Sequence, residues 1–460
     1  MAIKNDAGPA FGFIARGGLS HLLERLNKAR RELVWVMTGQ GLAFLGGFAG
    51  IKILTNVMGP ESYGQLALGM TISGVLNMFV FGPLGQVVSR FYSRYRERKA
   101  LGSYFFLLKR IHLVSVIGIL CLAGLAATVV YFRLGREWAL LVAAASLFGI
   151  VGGVNSSFLS LQSAARQRKV VALHQGADAC LRPALAVALL FAFSNSGYWA
   201  LTGYLAGTFL VTLSQAVFAL KNADIGPHFW TKPDPSIKMT GHLNEFAAYA
   251  LPFVAFAGFG AASMYSDRWI LQFVVGMREV GIYAAVSQIA AAPIALIAGM
   301  ITQLMVPIIF DKAGDMKHHD QFRDSSAALN STLLITILLM AAVCGVVFAF
   351  GQPILRLLTS EEFAPHSALL GVIAVGVSIF NIAQTLCIKG NYTNKPQVYF
   401  WPKGIQAVVS VILGYLGAKT FGLMGVGYAL CASSLVYLGL VIKANTKLKF
   451  SLANVSDSAI

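Results

Sequence analysis

Charged side chains are scarce in this chain. Of its 460 residues only 12% are Asp, Glu, Lys or Arg, while 57% are hydrophobic, and a soluble domain carries roughly a quarter of charged residues. Apolar runs of the about 20 residues needed to cross a bilayer recur from Val34 to the C-terminus. These runs are continuous and do not alternate between apolar and polar residues, which excludes a transmembrane β-barrel. The sequence therefore predicts a polytopic helical membrane protein.

Motifs of catalysis and of bound metal are missing. The sequence contains no GxxxxGK[ST] loop for a nucleotide, no HExxH and no GxSxG. Its five cysteines fall inside apolar runs, without a CxxC or a histidine cluster, so we expect neither a disulfide framework nor a metal site. We expect no enzyme and no cofactor. A transporter of this kind would couple to H⁺, to Na⁺ or to the membrane potential, or would follow its cargo gradient.

Acidic residues are about half as numerous as basic ones. The chain has 19 Asp and Glu against 36 Lys and Arg, a formal net charge of +17. Most of the basic residues lie in segments that share one side of the membrane if the N-terminus is cytoplasmic. The positive-inside rule therefore predicts that both termini are cytoplasmic. The rule also accounts for the excess of basic residues, so binding to nucleic acid is not needed to explain the net positive charge. The basic residues would in addition attract anionic membrane lipids.

Twelve transmembrane helices are predicted. The expected spans are 34–56, 64–90, 108–131, 138–163, 170–193, 198–220, 247–274, 280–310, 326–350, 364–388, 396–417 and 423–443. Residues 1–33 are charged throughout and lack the apolar core and cleavage site of a signal peptide. Leucines spaced between Arg and Lys in this segment indicate an interfacial amphipathic helix, with a disordered basic tail as the alternative.

The chain contains an internal repeat. The stretch VMGPESYGQLALGMTISGVL (57–76) matches VGMREVGIYAAVSQIAAAPI (275–294). At one constant offset, the matched pairs are Gly59 with Gly276, Gly64 with Gly281, Ala67 with Ala284, Gly82 with Gly299, and Gln86 with Gln303. Because each copy holds six spans, both copies share one orientation, and an axis along the membrane normal would relate them.

This repeat divides the chain into two six-helix lobes. We predict a basic N-terminal segment (1–33), an N-lobe (34–220), a cytoplasmic linker (221–244), a C-lobe (245–445) and a cytoplasmic tail (446–460). The linker is the most polar and proline-rich interior stretch. Two parallel repeats predict an all-α fold with a V-shaped central cavity between the lobes.

Ionisable residues inside spans are the candidates for this cavity, because such residues are costly in a bilayer and rarely face lipid. The fifth span carries His174, Asp178 and Arg182 at i, i+4 and i+8. The seventh carries Asp267 and Arg268. Lys403 in the eleventh span is a further candidate. The others are two glutamines that match in the repeat, Gln86 and Gln303, and two cations near span ends, Lys52 and Arg90. Alternative interpretations are an ion pair of Asp178 and Arg182 within its own bundle and interfacial positions for the others.

Two cations beside prolines suggest the cargo. Arg182-Pro183 matches Pro402-Lys403 in the repeat, which would place one cation in each lobe. A proline opens the helix ladder and suits a cavity wall. Cations that face one another across a cavity repel unless an anion lies between them, so the sequence predicts an anionic cargo such as a phosphate or carboxylate.

The two repeat segments resemble a known family. The stretch ILTNVMGPESYGQLALGMTISGVLNMFVFGPLGQVVSRFYSRYRE (53–97) is similar to polysaccharide-transport members of the multidrug/oligosaccharidyl-lipid/polysaccharide exporter superfamily. SDRWILQFVVGMREVGIYAAVSQIAAAPI (266–294) resembles the matching segment of the same proteins. Unlike the lipid II flippases of that superfamily, this chain has twelve predicted spans and no charge in its first span before Lys52.

The resemblance implies a flippase for oligosaccharides linked to polyprenyl (undecaprenyl) pyrophosphate in a bacterial plasma membrane. It implies alternation between inward- and outward-facing V shapes, with a basic cavity for the head group and a lateral opening for the lipid tail. Arg182, Arg268 and Lys403 would then contact pyrophosphate or acidic sugar, and Asp178 and Asp267 would couple an ion or balance those cations. Partners would be membrane lipids and a polysaccharide polymerase. The alternatives are an ion-coupled multidrug or metabolite antiporter and a non-transporting scaffold.

Overall fold

Apolar runs free of strand-like alternation fold here into long helices. The computed structural model describes residues 10–232, 239–314 and 318–448, with side chains from Val34 onward except at 239 and 240. The ends of the chain, 1–9 and 449–460, and residues 233–238 of the predicted linker lie outside the described residues. All regular secondary structure in the described part of the chain is helical.

The helices of the first half are α1 (Ala10–Val57), α2 (Pro60–Leu76), a π-helical turn (Asn77–Phe81), α3 (Gly82–Glu97), α4 (Leu101–Leu134), α5 (Arg136–Ala164), α6 (Arg168–Ala192) and α7 (Gly197–Leu220). A short α8 (Gly226–Phe229) follows in the linker. The second half contains α9 (Met239–Val274), α10 (Met277–Ala313), α11 (His319–Leu358), α12 (Ser367–Leu386), α13 (Ile388–Tyr392) and α14 (Phe400–Thr446), with 3-10 turns at Ala364–His366 and Pro396–Tyr399. Helix α9 begins at Met239, within the segment 221–244 that is predicted as the linker.

The twelve predicted spans correspond to fewer separate helical segments in the described part of the chain. Among the described residues, 11 helical segments are long and apolar enough to span a membrane, and the last is Pro396–Thr446. Gly422 interrupts that segment with a φ of 57°, a left-handed conformation that glycine adopts without strain. Gly417 and Gly425 touch each other, so the chain folds back at this point and α14 supplies two crossings.

Close glycine contacts set the helix pairs within each half. Gly39, Gly46 and Gly50 of α1 face Ala172, Ala179 and Pro183 of α6, and a methyl group added at Gly46 would lie 3.0 Å from Cβ of Ala179. Small residues let membrane helices approach closely, since packing replaces the hydrophobic effect inside a bilayer. In the first half α6 also packs on α7, and α5 on α7; in the second half α14 packs on α9 and α12, and α11 on α10 and α12.

The two halves meet at residues that match in the repeat. A methyl group added at Gly64 of α2 would meet the carbonyl oxygen of Met277 and lie 3.1 Å from the backbone nitrogen of Gly281. One added at Gly281 of α10 would meet the carbonyl oxygen of Pro60 and lie 2.9 Å from the nitrogen of Gly64. Such reciprocal contact between equivalent positions is the mark of a two-fold axis. We call this contact the glycine seam, and it lies at the end of the bundle opposite the linker.

Contacts between the halves are asymmetric about this axis. On one side α9 lies along α2 and α3, where Trp269 Nε1 donates to Thr71 Oγ1 at 2.9 Å. At the linker end Arg94 pairs with Glu245. On the equivalent opposite side α10 makes few contacts with α1. The two lobes are therefore joined along α2, α3 and α9 and separated between α1 and α10.

Substitution at the glycine seam should destabilise the protein. We expect Gly281→Ala to lower stability by about 1–3 kcal/mol, because the new methyl group meets backbone atoms that cannot turn away. Alanine also favours a helix by about 1 kcal/mol over glycine, so Gly118→Ala, on a helix face with nothing within 4 Å, is the matched control. The apparent melting temperature in detergent micelles measures both. Equal melting temperatures for the two variants would contradict the close contact.

Candidate functional site

A cavity between the lobes is lined by two intramembrane Asp–Arg pairs, Asp178 with Arg182 and Asp267 with Arg268. Its larger compartment, the central chamber, has a volume of about 700 Å³ and is lined by α2, α9, α10 and α12 together with Arg182 and Gln406. A second compartment of about 540 Å³, the side groove, lies between α1, α6 and α10. The two adjoin, because Arg182, Tyr204 and Gln288 line both.

Arg182 stands where the two compartments meet. Its Nε donates to Asp178 Oδ1 at 3.0 Å and to Thr208 Oγ1 at 2.8 Å, and its Nη2 pairs with Asp178 Oδ2. Thr208 also donates to Asp178 at 2.9 Å, so the carboxylate orients both neighbours. The guanidinium lies 5.2 Å from the ring centre of Phe148. No described residue accepts from Nη1, so this end of the fork is available to a ligand.

Arg268 is the cation that the second lobe contributes. Its Nη1 donates to the carbonyl oxygen of Met264 at 3.0 Å and lies 3.4 Å from Asp267 Oδ1. Asp267 also accepts from the backbone nitrogen of Arg268 at 2.7 Å. The side chains of both residues are about one-fifth exposed. Arg268 therefore carries a carboxylate of its own, yet its Nη2 and Nε have no acceptor among the described residues.

Polar and aromatic groups fill the wall between the two arginines. The chamber is lined by four tyrosines and four amides: Tyr63, Tyr204, Tyr265, Tyr283, Asn77, Gln288, Asn381 and Gln406. Phenols and amides can both donate and accept hydrogen bonds. The wall thus combines two guanidinium groups, suited to phosphate or carboxylate, with groups suited to a hydroxyl-rich ligand. No group of three or more His, Cys, Asp and Glu side chains that could hold a metal occurs within the described ranges.

Lys403 does not oppose Arg182, and this prediction was wrong. Its Nζ bonds to Gln406 Oε1 at 3.2 Å and lies 4.2 Å from the ring centre of Phe380, within its own lobe. The alignment of Pro183 with Pro402 suggests that Lys403 and Arg182 lie at the same depth along their helices, and they do not. Arg182 is 14 residues past the start of α6, whereas Lys403 is 3 residues past the start of α14, or about 21 Å against 5 Å along a helix. Arg268 takes the place across the chamber.

His174 and Lys52 also lie outside the cavity wall. His174 bonds through Nδ1 to the carbonyl oxygen of Val170 at 2.7 Å and through Nε2 to Ser214 at 3.0 Å, between α6 and α7. Over eight residues a helix turns by about 80° beyond two full turns, so His174 does not share the face of Arg182. Lys52 donates to the carbonyl oxygens of Arg356 and Thr359 at the end of α11, where a cation stabilises unpaired carbonyls.

The remaining candidates lie toward the linker end. Gln86 and Arg90 are exposed on α3 and line neither compartment. Gln303 is exposed one turn beyond Gly299, the last lining residue of α10, and so continues the face that lines the side groove. Of the ten candidates, the structure brings Asp178, Arg182, Asp267 and Arg268 to the cavity.

The uncharged polar residues of the chamber were missed from the sequence. Asn77 is an example: its amide donates to the carbonyl oxygens of Ser73 at 2.9 Å and Gly149 at 3.3 Å, at the start of the π-helical turn. Pro83 follows this turn and lacks the N–H that would continue the helix ladder. A single amide within an apolar run, close before a proline, is the signal that could have found it.

Comparison with known proteins identifies the family. A family model described as "Polysaccharide biosynthesis protein" matches residues 29–312, more than half of the chain. The chain belongs to this family. The succinoglycan biosynthesis transport protein ExoT of Rhizobium meliloti (strain 1021) is 24% identical over 396 residues, which cover 85% of this chain and 74% of that protein.

Solved structures share the fold of this family member. The lipid II flippase MurJ in an inward closed conformation matches with a TM-score of 0.64 and 16% identity, covering 92% of this chain and 89% of that one. An outward-facing multidrug resistance MATE transporter of the MOP superfamily matches with a TM-score of 0.63 and 12% identity, covering 92% and 95%. The chain therefore has the multi-helix membrane fold of these proteins, as the sequence predicts.

Proposed function

We propose that this family member is a flippase that moves polyprenyl-pyrophosphate-linked oligosaccharide repeat units across a bacterial plasma membrane. The observation that carries the proposal is the pair of arginines, Arg182 and Arg268, that the two lobes contribute to one chamber. A pyrophosphate between them would accept charge-assisted hydrogen bonds from both. Its release would follow when the lobes rotate and separate the two guanidinium groups.

The carboxylates of Asp178 and Asp267 would make binding of the anion reversible. Asp178 and Asp267 neutralise the arginines while the chamber is empty, because an unpaired charge at this depth is costly. An arriving anion then competes with the carboxylates for the guanidinium donors. We propose this balancing role for both aspartates, with coupling to H⁺, to Na⁺ or to the membrane potential as its natural extension.

The side groove supports a route for the lipid tail. It is lined by small residues of α1, α6 and α10, among them Gly47, Ala179, Ala292 and Gly299. The few contacts between α1 and α10 leave this side of the molecule open. A polyprenyl chain would lie in the groove and in the surrounding lipid while its head group enters the chamber, so the tail never crosses the polar interior.

The distribution of basic residues and the closed glycine seam support one orientation of the protein in the membrane. Under the positive-inside rule the linker end faces the cytoplasm, so the glycine seam lies on the outer side. With the seam closed, cargo would enter from the cytoplasmic leaflet. Repeat units made inside the cell would thus reach the outer surface for surface or exo-polysaccharide assembly, where a polymerase would use them.

Loss of either arginine should slow transport strongly. We expect Arg182→Gln and Arg268→Gln each to slow transport at least tenfold, since a hydrogen bond to a charged group contributes about 1.5–3 kcal/mol. The assay follows a polyprenyl-pyrophosphate-linked oligosaccharide between leaflets of proteoliposomes. Arg133→Gln, at an exposed arginine in the last turn of α4, is the matched control and should transport at the wild-type rate.

The same variants separate the flippase from a drug antiporter of this fold. A transporter of cationic drugs would depend on Asp178 and Asp267, and Arg182→Gln would leave its dye efflux intact. Wild-type lipid transport by both arginine variants, at equal protein abundance in the liposomes, would refute the flippase.

A bulky residue in the side groove should block the tail. Two glycines in the part of α1 from Val34 onward, Gly41 and Gly47, have nothing within 4 Å, and of these two Gly47 lines the groove and Gly41 does not. We expect Gly47→Phe to reduce transport of the lipid-linked substrate at least tenfold, because the ring occupies space needed by the chain, and Gly41→Phe to leave it unchanged. Equal transport by the two variants would place the tail elsewhere.

A further inference from the structure

A second pocket lies in the N-lobe at the same end as the glycine seam. It has a volume of about 260 Å³ and is lined by the first turns of α5 and α7, the turn before α7, and Gln65 of α2. Gln65 points away from the central chamber, since the chamber is lined by its neighbours Tyr63 and Leu66 on the other face of α2. The pocket and the chamber are therefore separated by a single helix.

Aromatic rings form one part of the pocket wall. Trp138, Tyr198 and Trp199 all line it, and Trp199 is held flat by Phe193, whose ring stacks on it at 4.1 Å with 7° between the planes. Aromatic residues that anchor a protein at a membrane surface face outward into lipid. Here they converge on a concave site, which favours a bound ligand with an apolar face.

Polar groups with unused hydrogen-bonding capacity form the rest of the wall. Gln65 Oε1 accepts from the backbone nitrogen of Gly197 at 3.0 Å, which leaves its NH₂ group free to donate. Arg136 and Glu137 line the pocket and have no ion-pair partner among the described residues. The pocket thus offers charged and neutral donors together with a carboxylate acceptor, beside the aromatic faces.

The turn that carries the pocket is fixed before any ligand arrives. Asn195 donates to the carbonyl oxygen of Val57 at 2.9 Å, and Ser62 donates to the carbonyl oxygen of Asn195 at 3.1 Å. Ser196 caps the first turn of α7. A site held in place in this way loses little conformational entropy on binding.

We infer that this pocket binds one sugar unit of the transported saccharide. A pyranose ring has an apolar C–H face that stacks on aromatic rings and hydroxyl groups that need both donors and acceptors. The volume is slightly below the about 300 Å³ at which small-molecule sites begin, which suits one ring and excludes a whole repeat unit. The inference rests on the proposed function for its saccharide and its outer location, next to the seam through which a head group would leave.

Binding of a lipid-free saccharide tests the inference. The probe is the oligosaccharide released by mild acid from the host's own lipid-linked precursor, titrated against the purified protein in nanodiscs. We expect Trp138→Ala to weaken binding about tenfold, in keeping with the contribution of an aromatic contact. Trp138→Phe should stay within about threefold of wild type. Trp401→Ala, at an exposed tryptophan of α14, should be unchanged.

A polar variant covers the case in which Trp138→Ala fails to fold, because Trp138 packs against the lobe core. Arg136 is exposed, so Arg136→Gln should fold normally and weaken binding severalfold. Wild-type affinity in both variants, no binding to the wild-type protein, or displacement of the probe by phospholipid head groups would each overturn the inference. Lipid transport, measured in parallel, reports on the arginines of the chamber separately, so either proposal can fail alone.

Discussion

A guanidinium group inside a membrane is stable only where a carboxylate or water compensates its charge, and this constraint organises the cavity. Arg182 is held by Asp178 and Thr208, and Arg268 by Asp267. Each guanidinium group keeps N–H donors that no described residue accepts from, and these donors are available to an anion. When no anion is bound, the neighbouring carboxylate still compensates the charge of the arginine. The cost of burying charge thus explains why the arginines come with partners, and why the partners orient them toward the chamber instead of lipid.

The two-fold repeat positions the two lobes around that site, and the contacts between the lobes differ on the two sides of the axis. Equivalent glycines meet at the seam because α2 and α10 cross on the axis. Yet α9 lies along α2 and α3, while α10 and α1 enclose the side groove. A duplicated protein that kept both sides equal would have either two openings or none. Departure from symmetry leaves few contacts between α1 and α10 on one side, next to the polar chamber.

Sequence patterns predicted the fold more completely than the site. Span number, repeat and lobe arrangement follow from hydropathy and glycine spacing, which are local properties. Asp178 and Arg182 stand out in the sequence because an i,i+4 pair in an apolar run is itself a strong signal, and both line the cavity. Lys403 was expected opposite Arg182 and lies elsewhere, because a short proline match does not measure depth along a helix. His174 was expected on the same helix face as Arg182, but an eight-residue spacing rotates it away from that face. The tyrosines and amides of the chamber carry no charge, and only tertiary packing distinguishes them from other residues of the spans.

One anion held by both lobes is the central claim, and a double-mutant cycle tests it most directly. The measurement is the affinity of a soluble prenyl pyrophosphate for the wild-type protein, for Arg182→Gln, for Arg268→Gln and for the double variant. If a single pyrophosphate bridges the arginines, the losses are coupled, by about 0.5–3 kcal/mol, and the double variant loses less than the sum. Additive losses would indicate two separate sites, and unchanged affinity in the single variants would remove the arginines from binding altogether.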